Sequence, residues 1–257
     1  MATTARSPRS GADLQAPPAP RLDMISLFVD LDGTISPLEL TPQAVGPDHE
    51  RRRLLDHLLA RLEGRLAVVS GRTLADLDRV LEGRIRSLGA VHGLVRRAAD
   101  GRIFEAVASP RMAEALNALR AFAASDPALL VEDKGAAAAL HYRRHPEAGP
   151  ASRDLVATLA DRLGLAARLG DMVAELRERG PDKGSVVAAF MAEPPFAGHP
   201  PVFLGDDLTD EDGFAAAQAL GGYGVVVGPR RPTAARYALE DVAQVRAWLA
   251  AGLDGPA

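Results

Sequence analysis

The chain has 257 residues, no cysteine and a formal net charge of −4 with a pI near 5.9, so disulfides and thiolate-held metals are excluded and oxygen ligands, which favour magnesium, come to the fore. Aromatic residues are only 4% while Ala, Leu, Val and Gly abound, a composition suited to helices on a parallel sheet, in one large domain or two modest ones. The acidic balance, with no Lys/Arg run interleaved with aromatics, argues against nucleic acid as a partner, and no apolar run reaches membrane-spanning length.

Residues 1–23 mix Ala, Pro, Ser and Arg without hydrophobic periodicity and read as a disordered leader. They lack the apolar core of a secretory signal, so cytoplasmic residence is expected, and the chain is read as a monomer. Met24 to Val29 predicts a buried strand that exits into Asp30 and Asp32. From Asp48 to Gly64, leucines 54, 55, 58, 59 and 62 recur at helical spacing. Arg65 to Val69 is a strand ending at Ser70-Gly71-Arg72, and Thr73 with Asp76 three residues on opens another helix. After Gly101 the rhythm changes, with a helix over 110–124, strands over 129–134 and 137–143, a helix over 151–163 and a strand over 172–177. From Lys183 it returns to helix, strand (201–204), helix from Asp210, strand (224–227) and a last helix over 241–251. The predicted fold is α/β: a Rossmann-like core of residues 24–104 and 181–252, with a parallel sheet and helices on both faces, and a smaller inserted α+β cap domain at 105–180.

Two charge concentrations carry the chemistry. Residues i and i+2 of an extended chain share a side, so Asp30 and Asp32 can point at one small volume past the sheet edge. Like charges that close raise each other's proton affinity unless a cation offsets them, which points to a divalent metal beside Asp30 and a protonatable carboxyl at Asp32. Gly33 and Thr34 allow a tight turn whose backbone N–H groups can hold an anion. After Gly205 come Asp206, Asp207, Asp210, Glu211 and Asp212, again at the end of an apolar strand. Helix capping accounts for one or two of these, not for all. Strand carboxyl ends of an open α/β sheet converge on one crevice, so the two groups can meet there. Ser70 offers a hydroxyl to an anion. Lys183 stands at a helix start, where the dipole disfavours a cation unless carboxylates and a bound phosphate face it.

Taken in order, Asp-x-Asp, Ser, Lys and Gly-Asp-Asp-x-x-Asp resemble the haloacid dehalogenase (HAD) superfamily of phosphotransferases. That resemblance implies Asp30 as the nucleophile, Asp32 as general acid and base, and Ser70 and Lys183 on the phosphoryl oxygens. It implies Mg2+ held by the Asp30 carboxylate, the Asp32 backbone carbonyl and Asp206, with Asp207 and Asp210 in support. The segments Ala90 to Gly93, Val131 to Gly135, Ala139 to Arg143, Val173 to Arg177 and Pro201 to Glu211 resemble those of trehalose-6-phosphate phosphatases, over nearly everything from Ile25 to Trp248. By that likeness the substrate is trehalose 6-phosphate, hydrolysed through an aspartyl-phosphate, and Glu132, Lys134 and Glu175 hydrogen-bond its sugar hydroxyls from the cap. Gly33, Gly71 and Arg72 join the expected substrate contacts, while His141 and Arg143 either reach the sugar or fill the cap. Ala136 to Ala139 is plainer than the likeness leads one to expect. The same chemistry on sucrose phosphate or a mannosyl phosphoester, a receiver-like signalling module and a non-catalytic sugar-phosphate sensor are the competing readings. The order of acidic pair, aspartate and lysine argues against the receiver.

Overall fold

The protein is described from a computed structural model that covers residues 14–229 and 232–253. In chain order its elements are β1 (Ser26–Val29), α1 (His49–Arg61), β2 (Leu66–Val69), α2 (Leu74–Val80), β3 (Ser87–Ala90), β4 (Val95–Arg97), β5 (Ile103–Glu105), α3 (Pro110–Ala123), β6 (Leu130–Asp133), β7 (Ala137–His141), α4 (Gly149–Leu163), β8 (Ala166–Gly170), β9 (Val173–Arg177), α5 (Lys183–Met191), β10 (Pro201–Gly205), α6 (Glu211–Ala219), β11 (Tyr223–Val227), β12 (Tyr237–Leu239) and α7 (Val242–Leu253). They form two sheets. The larger runs β12-β11-β10-β1-β2-β3-β4-β5, and is parallel from β12 to β3 with β4 and β5 added antiparallel. The smaller, β6-β7-β9-β8, is antiparallel throughout.

The central strands are apolar on both sides because helices cover both. Leu27 and Val29 of β1 pack with Leu55 and Leu58 of α1 and Val245 and Leu249 of α7. Phe28 points the other way, toward α5, with ring centroids 6.1 Å from Phe190 and 5.4 Å from Phe196. The fold is therefore α/β with helices on both faces, as the alternating sequence pattern predicts.

One feature of the topology positions everything else. β1 lies between β10 and β2, parallel to both, with Val29 opposite Leu204 and Val68. The chain leaves β1 to one side and returns, 171 residues after Asp30 (201 − 30), on the other. Such a reversal of strand order opens a crevice at the strands' carboxyl ends. Asp30 and Gly205 are level there, the Asp30 N–H donating to Leu204 O at 2.9 Å.

In the smaller sheet, alternation separates two jobs. Ala138, Leu140, Ala174 and Leu176 pack on Met112, Leu119, Val156 and Leu159 of α3 and α4. The opposite face carries one cross-strand row, Glu132, Ala139, Glu175 and Arg168. The plain Ala136 to Ala139 run is thereby explained. It is fully buried in the middle of this sheet, where small side chains let charged neighbours close over it.

Strands β3, β4, β5, β8 and β12 are absent from the sequence reading. β3 is Ser-Leu-Gly-Ala and β4 is Val-Arg-Arg, stretches with little intrinsic strand preference that form because a neighbouring strand supplies the ladder. The expected leader needs correction in its second half. Gln15 O accepts from the Ala238 N–H at 3.0 Å, Pro18 O accepts from the Trp248 indole at 2.7 Å, and Leu22 is buried. Apolar residues and prolines spaced among the polar ones lay this segment along α7. Residues 1–13 lie outside the described residues. No helix among the described residues is long and apolar enough to cross a membrane.

Trp248 is the only tryptophan, so it reports on this packing. Deleting residues 1–20 is expected to red-shift its fluorescence and lower the unfolding free energy by about 1–3 kcal/mol, the penalty of a buried donor left unpaired. An unchanged emission and urea midpoint would show that the segment contributes nothing to the fold.

Candidate active site

The crevice at the switch point is a cavity of about 520 Å³ between the large sheet's carboxyl ends and the charged face of the small sheet. From below it is lined by Asp30, Asp32, Ser70, Gly71, Arg72, Lys183, Asp206 and Asp207, and from above by Glu132, Lys134, His141 and Arg143. Residues drawn from six separate stretches of sequence thus meet.

Its floor is an ion cluster. Lys183, buried at the first turn of α5, donates to Asp30 Oδ1 at 2.9 Å and to Asp210 Oδ1 at 2.6 Å. The helix start that looks wrong for a cation is right for this one, because Asp182 caps α5 through the Ser185 N–H at 2.8 Å and the carboxylates face the ammonium. Ligand oxygens of Asp30, Asp206 and Asp210 lie within 4.8 Å of one another. Gly33, at φ 75°, runs directly under Asp206: a Cβ at Gly33 would stand 2.1 Å from Asp206 Oδ2. Its hydrogen is required by packing, not only by the turn. Thr34 Oγ1 donates to Asp206 Oδ1 at 3.4 Å.

The late acidic run divides its labour. Asp206 joins the cluster, and Asp207 caps the following turn, accepting from Leu208 N–H at 2.5 Å while its own N–H donates to Asp210 Oδ2 at 2.9 Å. Glu211 accepts from the Ala234 N–H at 2.6 Å, and Asp212 pairs with Arg168 of the small sheet at 2.9 Å.

Burial acts first on this cluster. It raises the Asp30 carboxyl well above the usual range, against the pull of Lys183 and with the push of Asp210 and Asp206. Burial, then Asp210, lifts Asp206 to about 7. Burial opposes the charge on Lys183, but Asp210 and Asp30 outweigh it and the ammonium is held more firmly than usual. Three carboxylates sharing one ammonium are short of positive charge. A divalent cation fits that deficit. Both oxygens of Asp210 are already engaged, by Lys183 and by the Asp207 N–H, which leaves Asp30 and Asp206 to offer oxygens to such an ion.

Asp32 is not paired as its spacing suggests. It lines the cavity, but its carboxylate is turned from the other acids onto Arg72, with Nε to Oδ2 at 2.6 Å and Nη2 to Oδ1 at 2.8 Å. Arg72 spends its remaining nitrogen on Pro42 O at 2.8 Å and on Asp76. It therefore orients Asp32 and, in this arrangement, does not reach out to a ligand. Burial opposes its charge and Asp32 and Asp76 more than restore it. The reason sequence spacing misleads here is that β1 stops at Val29, so Asp32 sits in a turn rather than on the strand. Ser70 is buried at the lip of β2, and its Oγ accepts from the Arg72 N–H at 3.3 Å.

On the roof, Lys134 donates to Glu175 Oε2 at 2.8 Å and lies 3.8 Å from Glu132. Burial works against its charge but the two glutamates prevail. His141 Nε2 is 2.9 Å from Glu132 Oε2, so it serves the roof's own network. Arg143 stands at the rim, tied to Asp171 at 2.7 Å. One residue to which the sequence reading gave no site role is His92, which lines the cavity after β3, flat against Gly71. Its Ala-Val-His-Gly setting at a strand end was the available signal.

Residues 28–243 match the family model described as trehalose-phosphatase. The chain belongs to the trehalose-phosphatase family. It is 40% identical over 230 residues to the trehalose-6-phosphate phosphatase of Escherichia coli and 38% identical over 224 residues to a probable trehalose-phosphate phosphatase of Sinorhizobium fredii, in each case over 86% of this chain and 84% of the relative. The fold is similar to that of the Candida albicans trehalose-6-phosphate phosphatase C-terminal domain, with a TM-score of 0.81 at 25% identity, over 94% of this chain and 98% of that one. A Bacteroides thetaiotaomicron phosphatase of the HAD superfamily shares the fold at a TM-score of 0.57 and 15% identity, over 91% of this chain and 96% of that one.

Raised carboxyl pKa values set the direction of a stability test. A group whose folded value lies above its unfolded value of 3.8 stabilises the fold at low pH, and that contribution is lost as pH rises through the folded value, about 7 for Asp206. In chelator the unfolding midpoint is therefore expected to fall between about pH 4 and 7. Saturating divalent cation should restore it at pH 8, by about 2.7 kcal/mol at a hundredfold excess over Kd, and much less at pH 5. A metal effect independent of pH would separate the cation from these carboxyls.

Proposed function

We propose that this protein is a magnesium-dependent phosphatase that hydrolyses trehalose 6-phosphate to trehalose and phosphate, acting as a cytoplasmic monomer. The observation that carries the reading is the facing pair of charge clusters across one cavity: Lys183 with Asp30, Asp206 and Asp210 below, Lys134 with Glu132 and Glu175 above. The lower cluster suits a phosphoryl group and the upper a polyol, since carboxylates accept from vicinal hydroxyls and an ammonium between them donates. Residues 105–180 then form the cap that selects the leaving group and excludes water.

In this reading Lys183 and the Ser70 hydroxyl hold the phosphoryl oxygens, and their positive end lets the Asp30 carboxylate approach a phosphate dianion. The carboxylates of Asp30 and Asp206 and the Asp32 backbone carbonyl would hold Mg2+, with Asp207 and Asp210 in support, and the ion would supply Lewis-acid neutralisation of the phosphoryl charge. An Asp30 oxygen bonds to phosphorus as the bond from phosphorus to the sugar oxygen breaks, and Asp32 gives its proton to that leaving oxygen. Water then attacks the phosphorus of the aspartyl-phosphate, Asp32 takes the water's proton, and phosphate leaves with Asp30 restored. Each oxygen of a carboxyl group has a second lone pair, so Asp32 can carry the proton without leaving Arg72, whose grip fixes its aim.

Phosphate release from trehalose 6-phosphate is expected to depend on Mg2+, to stop with chelator and to drop by at least about a thousandfold in Asp30→Asn, the scale seen when a covalent nucleophile is lost. Near-normal turnover in that variant would exclude Asp30 as the attacking group, and a stronger preference for sucrose phosphate or a mannosyl phosphoester would replace the substrate while keeping the chemistry.

A further inference from the structure

Across the seam between floor and roof, the His92 imidazole faces Glu175 Oε1, a buried oxygen that no group of the protein satisfies. Glu175 is buried, and Lys134 takes only its Oε2; Oε1 has no hydrogen-bond partner. His92 Nδ1 is likewise buried without a partner, and Nε2 stands 3.9 Å from Glu175 Oε1, beyond hydrogen-bond reach. Two hydrogen bonds of about 2.8 Å meeting near a right angle at one oxygen span roughly 4 Å. The separation is that of two groups sharing a hydroxyl.

The imidazole is fixed in place from several sides. His92 sits in a left-handed turn (φ 50°) after β3, its N–H donating to Ser70 O at 3.0 Å, and the Val91 N–H donates to Arg72 O at 2.9 Å. A Cβ on Gly71 would stand 2.3 Å from Nε2, so the Ser70 to Arg72 loop lies flush on the ring. Arg177 of β9 reaches the His92 carbonyl at 3.5 Å. Burial, then Lys183, Lys134, Arg168 and Arg177, keep the ring neutral, with one nitrogen to donate and one to accept. A neutral imidazole and a carboxylate are suited to a hydroxyl, which can accept from one and donate to the other.

We propose that His92 is a sugar-recognition residue, clamping one hydroxyl of the substrate between its imidazole and Glu175 Oε1. Because His92 belongs to the same backbone unit as Ser70 while Glu175 belongs to the cap, the hydroxyl ties the phosphate-side loop to the cap whenever the correct sugar is present. The proposal rests on reading the chain as a sugar-phosphate phosphatase.

The test compares kcat/KM for a panel of sugar phosphates with that for p-nitrophenyl phosphate, which has no sugar hydroxyl. His92→Asn, chosen because Asn accepts a left-handed backbone, and His92→Ala are each expected to lose about 10–100-fold on the preferred sugar phosphate, the scale of the penalty when a buried hydrogen-bonding group loses its partner, largely in KM. The loss on p-nitrophenyl phosphate should be at least about tenfold smaller, and the loss in His92→Asn/Glu175→Gln should fall well short of the product of the single losses. Equal losses on both substrate classes, or none on the sugar, overturn the clamp. If the unmodified protein prefers a sugar other than trehalose 6-phosphate, the proposed substrate falls while the same ratio on the preferred sugar still decides the role of His92. If it turns over no sugar phosphate better than p-nitrophenyl phosphate, both readings fall.

Discussion

A single ammonium buried between carboxylates governs this molecule. Lys183 holds Asp30 and Asp210 at hydrogen-bond distance, all three side chains buried, and Asp206 adds a further negative group beside them. Removing one partner from such a buried arrangement typically destabilises by about 3–5 kcal/mol, because the charge left behind has neither water nor counter-ion. The cluster is nevertheless short of positive charge: burial, and then repulsion from neighbouring carboxylates, push Asp30 and Asp206 upward despite the pull of Lys183. That deficit is what makes the site useful. On the proposed reading it favours a dication and a phosphoryl group held by Lys183, and it keeps the anionic nucleophile in reserve until they arrive.

The rest of the fold serves to assemble that cluster. Parallel pairing of β1 with β10 sets Asp30 level with Gly205 and brings Asp206 over Gly33, while α5 begins where its first residue can reach both strands' ends. A one-residue slip in either strand would carry the carboxylate to the wrong face. The small sheet repeats the logic with opposite emphasis, placing one ammonium between two glutamates, so that on the proposed reading phosphate and sugar meet complementary charge from opposite sides. Arg168 with Asp212, and Arg177 with the His92 carbonyl, join the two halves at the seam.

Much of this was legible in the residues. Apolar strings ending in Asp30 and in Asp206 announced two neighbouring strand ends, and the helical spacing of leucines 54 to 62 gave α1. A lysine at a helix start could be recognised as a misfit that required acidic company. What could not be read was decided by tertiary contact. β3 and β4 are strands only because their neighbours complete the ladder, and the prolines and leucines of residues 14–22 look idle until α7 is beside them. Asp32 lines the cavity, but its pairing with Arg72 depends on where β1 ends. His92 falls within the Ala90 to Gly93 segment but is given no role by the sequence, because a lone histidine in a short turn carries no periodic signal.

The claim at the centre of this account is that Asp30, relieved of repulsion by its cationic surroundings, takes the phosphoryl group onto its own carboxyl. Acid-quenching the protein during turnover of trehalose 6-phosphate, reducing any acyl phosphate with borohydride and mapping peptides by mass spectrometry tests it directly. The account predicts conversion of Asp30 alone to homoserine, dependent on Mg2+ and on substrate. Modification at Asp32 or Asp206 instead, or steady turnover with no residue modified, would contradict it.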